Sequence, residues 1–508
     1  MMLDADMKLR AKKIDQKIVR EKFSRVLIRH DLPFSAVEYE ELRDFLKYMN
    51  PDYISYTRNT AASDVIKTWK TEKEKLKLEL ENIPSRICLT SDCWTAVSGE
   101  GYISLMAHYV DEKGLLNNKI LSFCDILPPH TGEALATKIH ECLRDWGIEK
   151  KVFTLTLDNA TANDTMQDIL KERLNLDHNL LCEGEFFHVR CCAHILNLIV
   201  QDGLKVIGGA LSKIRDSVKY VKATKARGIA FETCAFKRLK VVDKSYKHCP
   251  SNDDWCKAKN ILEILKPFYK ITVLMLGRSY STSNLYFVNV WKIECLLKEN
   301  ERHSDKDIRD MAGRMRIKFK KYWDQYSVSL AMGAVLDPRM KFKLLKRCYE
   351  ELDPSTCKEK LDHIEEKLRL LFDDYLLKYP TTASTTNASS TNAREINKQG
   401  RDKSDMLDDL FDLDDMPEVT EEGKSVLDIY LSETKLEMKN HPKMCVLQYW
   451  KDNIHRFGAL SYMAYDILSI PITTVASESS FSIGSHVLNK YRSRLLPKHV
   501  QALLCTRS

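Results

Sequence analysis

The sequence predicts an α/β protein: a mixed sheet interrupted by a large helical insertion and followed by a helical C-terminal region. Three observations predict it. Short apolar runs separated by turn residues fill positions 86–126, the signature of antiparallel strands. Two strand-like runs, 86–94 and 152–157, each bring a single acid, Asp92 or Asp158, to a strand end. Apolar residues then recur at three-to-four spacing through most of 201–378, as at Ile261, Leu262, Ile264, Leu265, Phe268 and Tyr269, and that is the period of helices.

Bulk properties bound the function. At 508 residues the chain is long enough for roughly two to four domains. Its 44% apolar and 30% charged content is that of a globular protein, which excludes fibrous and wholly disordered classes. No uninterrupted run of about 18 apolar residues occurs, so no membrane partner is expected. Positions 1–17 mix acids and bases without an apolar centre and do not read as a secretory signal. The 15 cysteines are scattered, which fits a reducing compartment better than a disulfide framework.

The net charge of +7 is unevenly placed: between Leu211 and Lys247 eleven Lys and Arg stand against three acids. Lys213, Arg215, Lys219, Lys222, Lys225 and Arg227 form its first part. Such a segment suits a phosphate backbone, although a Lys-rich helix taken alone is more often a solvated face.

Residues 1–85 read as a helical region, with Phe23, Val26, Leu27 and His30 and then Leu42, Phe45, Leu46 and Met49 at helical spacing. Strands at 86–94, 102–110 and 116–124 are joined by the turns Ser98-Gly99-Glu100-Gly101 and Asp111-Glu112-Lys113-Gly114, so they form a meander. A helix over 133–146 puts Leu135, Ile139, Cys142, Leu143 and Trp146 on one face, and Gly147 ends it. The strand carrying Asp158 then rejoins the sheet in parallel beside the first, by the right-handed crossover preference. That order of elements is RNase H-like, with Asp92 and Asp158 side by side as the oxygen donors a divalent cation needs. A lone acid after a strand also serves as a helix cap; the pairing is what favours the metal.

Positions 185–190 read as a further strand leading into a helix that begins near Cys191. Cys182, His188, Cys191 and His194 lie close in sequence, but their spacing fits no common structural zinc pattern, and no C-x2-C…H-x3-5-H finger occurs. No structural zinc is expected. Residues 379–423 are Ser/Thr-rich, then acidic (Asp405, Asp408, Asp409, Asp412, Asp414, Asp415), and read as a disordered linker. From 424 to 508 the chain is apolar again. There Glu478 stands alone among small residues, either a first-turn helix acid or a third carboxylate for the pair.

Five stretches, read together, resemble a known family. Leu89-Thr90-Ser91-Asp92-Cys93-Trp94, Leu157-Asp158-Asn159-Ala160, Cys191-Cys192-Ala193-His194, Leu336-Asp337-Pro338-Arg339 and the run Thr474 to Ser482 are similar to motifs of plant hAT-superfamily transposases. The likeness is to the transposase-derived, sleeper-type BED zinc-finger proteins, and it runs in the family's order from about residue 20 to the C-terminus. Each motif is weak alone; five in order are specific.

The resemblance implies an RNase H-like core beginning in 86–200, a helical insertion over 201–378, and a 424–508 block that supplies a dimerisation surface and the last catalytic-core helix. It implies that Asp92, Asp158 and Glu478 form a metal-binding catalytic triad using Mg²⁺ or Mn²⁺ if active, and that Cys191 and His194 lie close to DNA ends. Nuclear localisation, DNA, and homodimers or heterodimers with related proteins are implied in the same way. Three departures are expected to matter. The BED finger is missing, relatives carry an Arg-Trp-Asn-Ser core that Lys237–Lys247 lacks, and His486 stands where the family commonly has Arg. The expectation is a domesticated, dimeric, DNA-binding nuclear protein, regulatory or vestigial rather than transposing. The alternatives are an active metal-dependent transposase or nuclease, and a protein-interaction module without DNA binding.

Overall fold

Burial explains why one strand sits at the centre of the molecule. Every residue from Ile87 to Ser91 is buried, as expected of a strand covered on both faces. The computed structural model describes residues 2–3, 9–10, 14–96, 99–233, 236–277, 283–326, 328–379, 424–488 and 495–507. Within them, β1 (Ile87–Thr95), β2 (Gly101–Val110), β3 (Leu116–Ile126), β4 (Val152–Leu157) and β5 (His188–Arg190) form one mixed sheet in the order β3-β2-β1-β4-β5. The β1–β2 and β2–β3 pairs are antiparallel, while β1–β4 and β4–β5 are parallel. The expected RNase H-like mixed sheet with a helical insertion and a helical C-terminal region is what the chain adopts.

Side-chain alternation divides the sheet into two interfaces. Ile87, Leu89, Leu105 and Leu155 face one layer, where Leu135, Ile139, Leu143 and Trp146 of the Gly132–Trp146 helix and Met166, Leu170 and Leu174 of the Thr161–Leu176 helix complete a core. The Thr131 side chain caps the first of these helices, and Gly147, at φ 68°, ends it. Cys88, Val110, Phe153 and Val189 face the other way, onto a much larger core built by the insertion and the C-terminal helices. Each large side chain buried in this manner contributes about 1.5–3 kcal/mol.

The fifth strand is shorter than the 185–190 expected. Cys182 and Glu183 take positive φ (46° and 51°) in a turn over Leu181–Gly184, so the chain straightens late. Pairing starts only where the Leu155 amide donates to the Phe187 carbonyl (2.7 Å). The basic segment forms helices Gly208–Lys222, Lys225–Thr233 and Phe236–Val242. They begin beyond the Cys192–Leu204 helix, at a bend of 105°. No single helix among the described residues is long and apolar enough to cross a membrane. The expected linker lies outside the described residues, except for Tyr379.

A buried polar clasp joins the insertion to the C-terminal block. Asp337 has no exposed surface, and its carboxylate accepts from Arg339 Nε (2.9 Å) and Nη2 (2.7 Å) and from Asn284 Nδ2 (2.8 Å). Arg339 Nη1 reaches on to the Met444 carbonyl (3.3 Å), and the Leu436 amide donates to Pro338 O (2.8 Å). Trp450 Nε1 donates to Leu336 O (2.9 Å), and Lys341 Nζ to Tyr430 O (2.6 Å). The Leu-Asp-Pro-Arg stretch is thus the point where two distant parts of the chain are fastened.

Candidate active site

Strand register places the two aspartates together. Thr90 of β1 is level with Thr156 of β4, so two residues further on Asp92 and Asp158 project from the same face at the same end. Neighbouring strands lie about 4.8 Å apart. Asp92 accepts from the Cys93 amide (2.7 Å). Asp158 accepts from the Ala160 amide (3.0 Å) and from the Asn163 side-chain amide. Asn163 stands five residues after Asp158, one turn into the next helix, and was not singled out in the sequence; an Asn at that offset is a signal that could have found it.

Glu478 arrives from far along the chain. It lies in the first turn of the Val475–Val487 helix, and three sets of contacts set that helix over β1. The Thr156 hydroxyl donates to Pro471 O (2.7 Å), and the Cys192 amide donates to Ile472 O (2.8 Å). Cys191 Sγ accepts from Thr474 N (3.4 Å) and Oγ1 (3.3 Å). Further along, Phe481 stacks on Trp94 at 5.9 Å, and Gly484 lets the helix approach Phe123, whose Cζ would lie 3.2 Å from an added Cβ.

A buried relay runs beneath the acids. Ser477, adjacent to Glu478, donates to Thr90 Oγ1 (2.9 Å), which is bonded to His108 Nε2 (3.0 Å), while His108 Nδ1 is bonded to Asn118 Oδ1. His108 is 4% exposed, and burial pushes its imidazole down to about 4, so the ring is neutral. Because the Asn118 carbonyl oxygen accepts, Nδ1 carries the hydrogen and Nε2 receives the Thr90 hydroxyl. All the donors therefore point one way, from the Glu478 helix to β3. Sequence reading missed this relay, since its members sit on four elements and belong to no motif beyond Thr90 and Ser477.

The electrostatics tie the three acids to one space. Asp92 is pushed up to about 7, chiefly by burial and further by the negative charges of Asp158 and Glu478. Arg190 flanks them, paired with Asp164 (2.7 Å) and donating to Asn159 Oδ1 (3.3 Å). Three oxygen-only donors, one of them raised chiefly by its burial and further by the charge of the other two, are of the type that suits a hard divalent cation. Among the described residues, no group of three or more His, Cys, Asp or Glu side chains is placed so that it could hold a metal ion.

The remaining residues singled out in the sequence are dispersed. Cys191 is 1% exposed and is committed to Thr474, while His194 is half-buried three residues on. Lys213 pairs with Asp254 (3.2 Å), and Arg227 lies over the Tyr220 ring at 4.0 Å. Arg215, Lys219, Lys222 and Lys225 are exposed, on helices that follow the Cys192–Leu204 helix.

Four family profiles match in chain order. They are the ZBED1 RNase-like domain (90–186), its helical domain (189–238), the hAT-like transposase RNase-H fold (284–375) and the hAT family C-terminal dimerisation region (426–508). The chain is 32% identical to the putative AC transposase of Zea mays, over 97% of this chain and 65% of that protein. It is 29% identical to zinc finger BED domain-containing protein RICESLEEPER 2 of Oryza sativa subsp. japonica (95% of this chain, 73% of that one). It is 27% identical to DAYSLEEPER of Arabidopsis thaliana (97% and 73%). The chain spans just under two thirds of the length of the maize relative.

Proposed function

This chain belongs to the hAT-family transposase homologues, and from that premise we propose that it is a dimeric DNA-binding protein of the nucleus, with a divalent-cation site at Asp92, Asp158 and Glu478. The observation that carries the reading is the register that brings Asp92 and Asp158 to the ends of adjacent parallel strands, with the charge of Glu478, 386 residues further along, acting on Asp92. A bound Mg²⁺ or Mn²⁺ would supply Lewis-acid activation of a phosphodiester and of the oxygen attacking it. The chain's own residues do the positioning. The Cys93 amide holds Asp92, the Ala160 amide and Asn163 hold Asp158, and the Ser477–Thr90–His108 relay seats the helix bearing Glu478. Block 426–508, matched by the dimerisation profile, would supply the subunit contact, in homodimers or with related chains.

Absence of the Arg-Trp-Asn-Ser core from Lys237–Lys247 favours a regulatory role over transposition. The adjacency of Asp92 and Asp158 at the sheet end favours a second reading, metal-dependent strand cleavage or transfer. In both readings the exposed cations Arg215, Lys219, Lys222 and Lys225 meet the phosphate backbone. A Lys219→Ala/Lys222→Ala/Lys225→Ala variant is therefore expected to weaken duplex binding without unfolding. It should also flatten the slope of log affinity against log salt by about 3, near 0.9 for each phosphate no longer neutralised. Fluorescence anisotropy at several salt concentrations measures it; an unchanged slope would remove these helices from the DNA interface.

A further inference from the structure

At the other end of β1 from the acids, an open cleft of about 530 Å³ is lined by Arg86, Lys150, Lys151, His178 and Lys378, with Asp177 as its one acid. Arg86 lies six residues before Asp92, about 20 Å along a strand, so the cleft is a separate place.

Two of its cations, Arg86 and Lys151, donate to neutral carbonyl oxygens. Arg86 is 6% exposed, and its Nη1 donates to Val152 O (2.9 Å) and Asn179 O (3.2 Å). Lys151 Nζ donates to Glu81 O (2.6 Å) and Ile83 O (2.8 Å). A buried guanidinium ordinarily meets a carboxylate. The one buried beside Arg86 is Asp466, whose oxygens accept from the Arg86 backbone amide (2.7 Å) and the Tyr375 hydroxyl. Burial pushes Asp466 up to about 7, which leaves it only partly charged at neutral pH. Burial, and then the charge of Arg86, pushes Lys378 down to about 8. Glu81 and Asp374 act on the cluster through charge alone, and Asp374 Oδ2 is taken by the Cys182 amide (2.7 Å). The lining of the cleft therefore sets four Lys and Arg, at 86, 150, 151 and 378, against the single acid Asp177, an environment that an anion with several oxygens would complete.

We propose that this cleft binds a multiply charged phosphate anion, with Lys150, Lys151 and Lys378 on its walls and the Arg86 guanidinium at its floor. Free polyphosphate and the backbone of a nucleic acid offer the same chemistry. The test is calorimetric titration of inorganic tripolyphosphate into the full chain, its Lys150→Ala/Lys378→Ala variant and the Lys219/Lys222/Lys225 triple alanine variant. Expected is saturable binding by the wild type, a tenfold or greater loss in the Lys150/Lys378 variant, and unchanged affinity in the triple variant. No binding at millimolar tripolyphosphate, equal affinity in wild type and the Lys150/Lys378 variant, or loss confined to the triple variant would each overturn the proposal. A duplex that displaces bound tripolyphosphate would support it with the DNA backbone as the source of phosphate, and a duplex that binds alongside would support it with a free polyanion.

Discussion

Replacing Asp337 by Ala is expected to destabilise the protein by about 3–5 kcal/mol, because it strands a buried guanidinium. Among the described residues the Arg339 guanidinium meets Asp337 and two carbonyls, at a position where its side chain is 10% exposed. The loss would be read as a lower urea midpoint. It should be felt first between the insertion and the C-terminal block, since Pro338 O, Leu336 O and Val335 O each receive a donor from the 424–508 block. The double variant Asp337→Leu/Arg339→Met should lose less than either single alanine variant, because removing both charges leaves nothing uncompensated. If the single and double variants are equally stable, the pair is not what fastens the two parts.

The second large effect is expected from His108→Ala. Loss of the ring leaves a cavity and removes the hydrogen bonds that His108 makes to Thr90 and to Asn118, at a combined cost of about 3 kcal/mol. It also leaves the Thr90 hydroxyl, the acceptor of Ser477, without its own acceptor on His108, so the seat of the helix carrying Glu478 loosens and cation affinity should fall about 10–100-fold, as when a residue supporting metal ligands is removed. Stability against pH gives an independent signature. His108 is pushed below its unfolded value of about 6.5, so the unfolded chain binds the extra proton. The stabilisation is complete above that value and is lost as pH falls towards 4. The variant should therefore show a flatter pH profile between 6.5 and 4. A folded His108→Ala chain that binds the cation like the wild type would dismiss the relay as a positioning device.

Sequence carried the sheet well, because β1 to β4 are short apolar runs with clear turns and one amphipathic crossover helix between them. Asp92 and Asp158 were legible for the same reason: register between two parallel strands is a local consequence of that order. Glu478 was legible only through a motif, since no periodicity links it to strands more than 300 residues earlier. The relay and the Arg86–Asp466 contact were illegible, because each depends on how the C-terminal helices dock on the sheet. Asp337 could be picked out as a motif residue, but nothing in its neighbours tells that its partners are Asn284 and the chain near Met444. The Cys191 sulfur proved to be a buried anchor for Thr474, a use that spacing does not distinguish from ligation.

The central claim is that Asp92, Asp158 and Glu478 act together on one divalent cation, and Mn²⁺ calorimetry on the purified chain tests it most directly, with Asp92→Ala and Glu478→Ala alongside. The expected result is binding by the wild type that either substitution removes. Its affinity should rise about tenfold per pH unit up to pH 7 and level off above, because the cation takes only the ionised form of Asp92, which is pushed up to about 7. Absence of binding in the wild type, or binding of wild-type strength in both variants, would contradict the claim.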